Sequence, residues 1–293
     1  MSEAEQTRFL QQFEQWFDCT GARMRYLHLS AREPLAPPRP PLVLIHGLMG
    51  YSFSWRFNLE ELSLHRDVYA VDLLGIGCSD RPVPGDADYG MAAAASRVLA
   101  LIRRIGAAPV DILGTSHGGA VAMMAASLEP ARIRRLALVA PAHPFMINSR
   151  LRIAFFRSAV GRFLARRLLM HNALMLNLSI GRLYADSSKV TAETRRGYDL
   201  NLRDATSYEY ALEILRTWYE DMHRLRDALP AIAHIPALLL WGEADQAVAC
   251  HSALMLREFF RSAELVVLPG IGHMTYEEDP PLFNRTVLRF LDS

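Results

Sequence analysis

The chain has 293 residues, 51% of them apolar, enough to bury a large core either as one α/β domain with an insertion or as two ordinary domains. A formal net charge of +1 gives no footprint for a nucleic-acid partner, and the basic residues are arginine throughout except for Lys189. Cys19, Cys78 and Cys250 are too few and too scattered for a disulfide framework or a zinc motif, the polar, acidic start lacks a secretory pattern, and no apolar run reaches the ~18 residues of a membrane span. The expectation from these totals is a soluble cytoplasmic protein.

Phe9, Leu10, Phe13, Trp16 and Phe17 recur at three- and four-residue intervals, which predicts an amphipathic helix packed on the body or on a second subunit, so that the chain is a monomer or a homodimer. Residues 24–29 alternate as an edge strand would, and the proline-rich run 36–41 is a surface connection. A continuous apolar run, Leu42–Ile45, reads as a central parallel strand ending at His46-Gly47-Leu48-Met49-Gly50. Residues 68–72 form the next strand. The Gly75-Ile76-Gly77 that follows lacks the third glycine of a dinucleotide fingerprint and meets Pro82 where a cofactor-binding helix would run, so it is scaffold.

After a helix over 91–105 comes the centre of the chain. Val110, Ile112 and Leu113 lead through Gly114-Thr115-Ser116-His117-Gly118 into an alanine-rich helix. A serine at a sharp strand-to-helix turn must adopt a strained backbone, and glycines two residues before and after it let the turn close and leave the hydroxyl exposed. Residues 136–140 supply another buried strand. From 142 to 229 helical periodicity recurs without a strand-like run, the pattern of a helical cap inserted between sheet strands. Strands follow at 237–241 and 265–268, each ending in a loop: Glu243-Ala244-Asp245 after the first, Gly270-Ile271-Gly272-His273-Met274 after the second. A helix over 282–291 closes the chain.

This order of elements and loops resembles the α/β-hydrolase superfamily, with a mostly parallel central sheet flanked by helices. The resemblance implies a core domain over 1–141 and 230–293 and a cap over 142–229. It implies a nucleophile at Ser116, a histidine base at His273 and a carboxylate at Asp245 in preference to Glu243. The oxyanion amides fall on Leu48 and His117, with His46 bracing the loop. Nothing in that chemistry requires a cofactor or a metal.

Met146, Trp218 and Met274 are the candidate substrate contacts; Phe155, Met170, Met175, Tyr219 and Met222 are further candidates for a pocket wall or for packing within the cap. Arg150, Arg152, Arg157, Arg162, Arg166 and Arg167 crowd the start of the cap and read first as a solvated face. The implied activity is hydrolysis of a carboxylic ester of a small to medium apolar substrate. A carbon–carbon bond hydrolase of ring-fission products and a ligand receptor on the same fold are the alternatives. Epoxide hydrolases and haloalkane dehalogenases share the architecture but use an aspartate where this chain has Ser116.

Overall fold

The structure, a computed structural model, describes residues 10–19, 21–106, 109–146, 150–164, 180–202 and 204–293. Its frame is an eight-stranded sheet: β1 (Glu14–Cys19), β2 (Ala22–Leu29), β3 (Leu42–Ile45), β4 (Val68–Val71), β5 (Val110–Thr115), β6 (Ile133–Val139), β7 (Ala237–Gly242) and β8 (Ala263–Leu268). Their spatial order is β1-β2-β4-β3-β5-β6-β7-β8. The β1–β2 and β2–β4 pairs are antiparallel and all the others parallel.

Burial on both faces explains the sequence of the central strands. Every residue of β3 is fully buried, so the run is apolar at each position rather than at alternate ones. Helices α1 (Met91–Ile105) and α2 (His117–Leu128) cover one face. There Val98 and Ile102 of α1 pack with Ala120 and Met124 of α2 in one buried cluster. On the other face lies α8 (Pro280–Asp292), whose Phe283, Val287, Phe290 and Leu291 recur at the helical period and pack with Trp55 and Leu59. Asp279 caps that helix by accepting from the Leu282 amide.

Between β6 and β7 the described residues form helices α3 (Arg150–Arg157), α4 (Ala159–Leu164), α5 (Ala192–Leu202) and α6 (Ala205–Ile232). No strand occurs there among the described residues. The last of these is continuous past residue 229, and its Leu225, Leu229 and Ile232 are buried in the same cluster as α1 and α2. The helix α7 (Ala253–Arg257) precedes β8.

Two expectations fail at the N-terminus. From Glu14 onward the segment read as a helix is a strand, held by a hairpin through Gly21 to β2, with Phe17 and Cys19 buried and Trp16 and Asp18 outward. Spacings of three and four among Phe13, Trp16 and Phe17 fit a helix only if nothing nearby pairs with the backbone, and β2 does. Consequently β2 is not an edge strand: it is bonded on both sides, to β1 and to β4.

The chain passes from β3 to β4 on one side and from β5 to β6 on the other, so the connections from these two neighbouring strands leave in opposite directions. The crevice outside the carboxyl ends of β3 and β5 is therefore the switch point of the sheet, where ligands bind in open α/β folds. At the opposite end of β5, Asp111 is fully buried and accepts from Arg66 at 3.2 Å and from Arg134 at 2.9 and 2.5 Å. Arg66 is itself buried. Removing Asp111 leaves the buried Arg66 only its ion pair with the partly exposed Asp292. Asp111→Ala should therefore destabilise the chain by about 3 kcal/mol, read as a lowered urea midpoint; a loss under ~1 kcal/mol would show that Asp292 alone balances Arg66.

Candidate active site

Ser116 sits between the last residue of β5 and the first of α2 with φ 52° and ψ −122°, one of three non-glycine residues with positive φ among those described. The flanking glycines are not in the left-handed region themselves. Their role is contact: a Cβ on Gly118 would lie 2.3 Å from the His46 carbonyl oxygen and 2.4 Å from that of Ile45, and one on Gly114 would lie 2.5 Å from the Gly118 oxygen. The helix start is thus pressed against the end of β3, and Ser116 takes up the bend. Backbone bonds hold it there. The Ser116 amide donates to Val139 at 2.9 Å, and the Ser116 carbonyl accepts from Gly119 at 3.0 Å and Ala142 at 2.8 Å.

The loops from β7 and β8 meet beside it. His273 Nδ1 donates to Asp245 Oδ2 at 2.7 Å, while Asp245 Oδ1 accepts from the amides of Ala247 at 2.7 Å and Val248 at 2.9 Å. That leaves His273 Nε2 as the ring nitrogen able to accept a proton. Glu243 is exposed and accepts from Gly270 at 3.1 Å, so the carboxylate brought to the imidazole is that of Asp245.

Ser116 and His273 line one cavity of about 270 Å³ with Leu48, Met49, Ile180, Leu183, Ala247 and Met274. Its polar side chains, besides Ser116 and His273, are the hydroxyls of Ser54, Tyr198 and Tyr276. No lysine or arginine lines it among the described residues. Met274 lines this cavity. Met146 and Trp218 line a second cavity, of about 480 Å³, with His143, Met222 and Arg226. Phe155 is exposed, and Met170 and Met175 lie outside the described residues.

His46 accepts from the Leu73 amide at Nε2, 3.0 Å, and donates from Nδ1 to Gly47 at 2.8 Å, so both nitrogens are engaged in bracing the loop that carries Leu48. The His117 side chain is buried away from the cavity, with Nδ1 lacking a partner. Burial, with a smaller contribution from His46, pushes its pKa down to about 4.

Sequence reasoning misses the support behind the base. Glu278 accepts from the Gly272 amide at 2.8 Å and from Ala185 at 3.0 Å, and the His273 amide donates to Leu183 at 2.7 Å. Next to it, buried Glu277 accepts from Arg56 at 2.6 Å, from the Tyr184 hydroxyl at 2.8 Å and from that of Tyr198. Burial, and then the Glu277 charge, push the Tyr184 and Tyr198 hydroxyls well up. Glutamates in a polar turn carry no pattern of their own; their closeness to the His273 loop is the one available signal.

A family model for the alpha/beta hydrolase fold matches residues 40–280. The chain belongs to the α/β hydrolase fold family. It is 31% identical over 253 residues to the dihydrolipoyllysine-residue acetyltransferase component of the acetoin cleaving system of Pseudomonas putida, covering 86% of this chain but only 63% of that protein's length. It is 28% identical over 260 residues to the 2-hydroxymuconate semialdehyde hydrolase of Pseudomonas sp. strain CF600, 86% of each chain. Among solved structures of the fold, the epoxide hydrolase CorEH without ligand matches with a TM-score of 0.80 at 21% identity, over 95% of this chain and 98% of that one. Relatives of this chain thus carry the names of different chemistries.

Two buried histidines make this hydrolase-fold core sensitive to acid. Burial pushes the His143 pKa to about 4 as well as that of His117, while an unfolded imidazole titrates near 6.5. Below about pH 6.5 the unfolded chain takes up protons that the folded chain refuses until about pH 4. Stability from these groups is full above that window and is lost as pH falls through it, by roughly 3 kcal/mol per group at most. Urea unfolding at stepped pH should show this slope, and a His117→Asn/His143→Asn variant should flatten it; an unchanged slope would assign the acid sensitivity elsewhere.

Proposed function

We propose that this protein is a serine hydrolase that cleaves carboxylic esters of small to medium, uncharged, largely apolar substrates. The observation that carries the reading is the shared cavity: a strained serine and an imidazole oriented by a buried carboxylate, with apolar walls around them. In the proposed sequence, Ser116 Oγ attacks the ester carbonyl as its proton passes to His273 Nε2. The oxyanion is met by the amides of Leu48 and His117, the latter at the start of α2 where the helix dipole favours negative charge. The imidazolium formed is stabilised by Asp245 and returns the proton to the departing alkoxide. Water, deprotonated by the same nitrogen, then releases the acid and restores the serine.

Ser116 is what separates this reading from epoxide opening through an aspartate. A ring-fission carbon–carbon hydrolase remains the second reading, favoured by the Pseudomonas relative named for 2-hydroxymuconate semialdehyde. Against it stands the lining: a carboxylate-bearing dienoate entering this cavity meets no cationic side chain among the described residues. A volume of about 270 Å³ also falls below the ~300–1,000 Å³ of sites for drug-sized ligands, which suits a short acyl or alcohol group.

A fluorophosphonate probe should label Ser116, and aryl esters of short acyl chains should turn over faster than long ones. Ser116→Ala should lose labelling and reduce turnover by on the order of 10⁴-fold with folding retained. Undiminished turnover would remove Ser116 from the mechanism, and rapid cleavage of dienoates with none of esters would replace the ester reading.

A further inference from the structure

We propose that the second cavity, between α3, α6 and the loop after β6, is a binding site for a small monocarboxylate with an aromatic or other flat apolar body. Its volume of about 480 Å³ exceeds that of the space beside Ser116 and falls within the ~300–1,000 Å³ of sites for drug-sized ligands. The lining grades from buried to exposed and from apolar to cationic. Ile153, Met222 and His143 are buried, Met146 and Trp218 half-buried, and His223 and Arg226 exposed. No carboxylate lines the cavity among the described residues.

Sequence spacing puts much of that lining on one helix face. Tyr219, Met222, His223 and Arg226 recur at intervals of three and four along α6, with Trp218 one turn before Met222, so an indole, a thioether and a guanidinium follow one stripe. The facing walls are held in place. Arg157 of α3 pairs with Glu220 at 3.2 Å and lies over the Tyr219 ring, which fixes α3 against α6 and engages the Glu220 carboxylate. On the loop after β6, the His143 amide donates to Met146 Sδ at 3.3 Å. The Ser252 hydroxyl donates to the Ala249 carbonyl at 2.6 Å, so His143 Nε2 is the donor in its 3.0 Å bond to Ser252, and Nδ1 accepts from the Phe145 amide at 3.3 Å. The imidazole is therefore a neutral, bonded part of the wall, and burial keeps it so down to about pH 4.

With the imidazole neutral, Arg226 is the fixed positive charge of the described lining, and it makes no hydrogen bond or ion pair among the described residues. A guanidinium offers a planar fork that matches the two oxygens of a carboxylate. One such charge balances a monocarboxylate and leaves a phosphate dianion half unbalanced. The apolar body of the ligand meets Trp218, Met222 and Met146, an indole face and two adaptable thioethers that suit a flat ring. The inference does not rest on the ester reading: Ser116 and His273 line the other cavity, and binding in this one is measured without turnover.

The test is isothermal titration of the full chain with 4-phenylbutanoate and with its neutral amide, 4-phenylbutanamide. The acid is expected to bind about tenfold tighter than the amide, and the difference should shrink when salt is raised from ~0.05 M to ~0.5 M. Arg226→Gln should bring the acid to the affinity of the amide while the thermal midpoint stays unchanged, and Trp218→Ala should weaken both ligands by about tenfold. No binding of the acid at millimolar concentration, equal affinity for acid and amide, or undiminished affinity for the acid in Arg226→Gln would each overturn the proposal. So would a folded Trp218→Ala variant that binds both ligands as before, since they would then lie outside this cavity.

Discussion

The structure turns on one close contact, that of Gly118 with the carbonyls of Ile45 and His46 at the end of β3. Because nothing larger than a hydrogen fits there, α2 begins hard against the switch point of the sheet, and the chain has a single residue in which to turn from β5 into the helix. Ser116 accommodates the turn with a positive φ, a conformation that costs a non-glycine residue about 1–3 kcal/mol. Three backbone bonds on its two sides, to Val139, Gly119 and Ala142, offset that cost. The strained geometry aims the hydroxyl into the cavity and turns the neighbouring His117 ring into the interior. The same contact therefore exposes one side chain and hides the next.

The imidazole is placed by a different device. Asp245 has one oxygen saturated by two backbone amides, leaving the other for His273, so the carboxylate cannot rotate without losing its own bonds. The His273 backbone is in turn tied to Leu183, and the neighbouring Gly272 to Glu278, which also holds Ala185. Residues 183–185 belong to the helical insertion, so the insertion is part of what fixes the base as well as a wall of the cavity. A disturbance there reaches the imidazole through backbone hydrogen bonds, with no substrate contact required.

How much of this could be read from the residues follows from how local each signal is. The elbow around Ser116, the buried strands and the loops carrying Asp245 and His273 are legible because a strand, its turn and its glycines lie within a few consecutive positions. The first strand reads as a helix because Phe13, Trp16 and Phe17 satisfy helical spacing by coincidence, and the backbone partner that overrides it, β2, begins only at Ala22. Glu277 and Glu278 were invisible for a different reason: glutamates in a polar helical turn look solvated, and only the arrival of Arg56, Tyr184 and Tyr198 from elsewhere makes one of them a buried acceptor. Met146 and Trp218 line a cavity other than the one that holds Ser116 and His273, because helix packing and not local sequence decides which space a side chain on the insertion borders.

The polar side chains of the catalytic cavity bear on what it can hold. Tyr198 and Ser54 are 3.0 Å apart, and Tyr198 is bonded onward to Glu277, whose charge is balanced by Arg56. The pair is neutral as a unit and lies behind the tyrosine, so it presents no positive field to the cavity. An anionic substrate group would give up its hydration and meet the hydroxyls of Ser54, Tyr198 and Tyr276, the first two already bonded to each other, and no cationic side chain among the described residues, whereas a neutral acyl chain loses no charge solvation on entering. On the α3 side of the insertion, meanwhile, Arg157 is engaged with Glu220 and Tyr219, holding one helix to another. Arginine is thus abundant in the insertion sequence and absent from the described lining of the space beside Ser116, and that separation is the physical ground for preferring an uncharged ester.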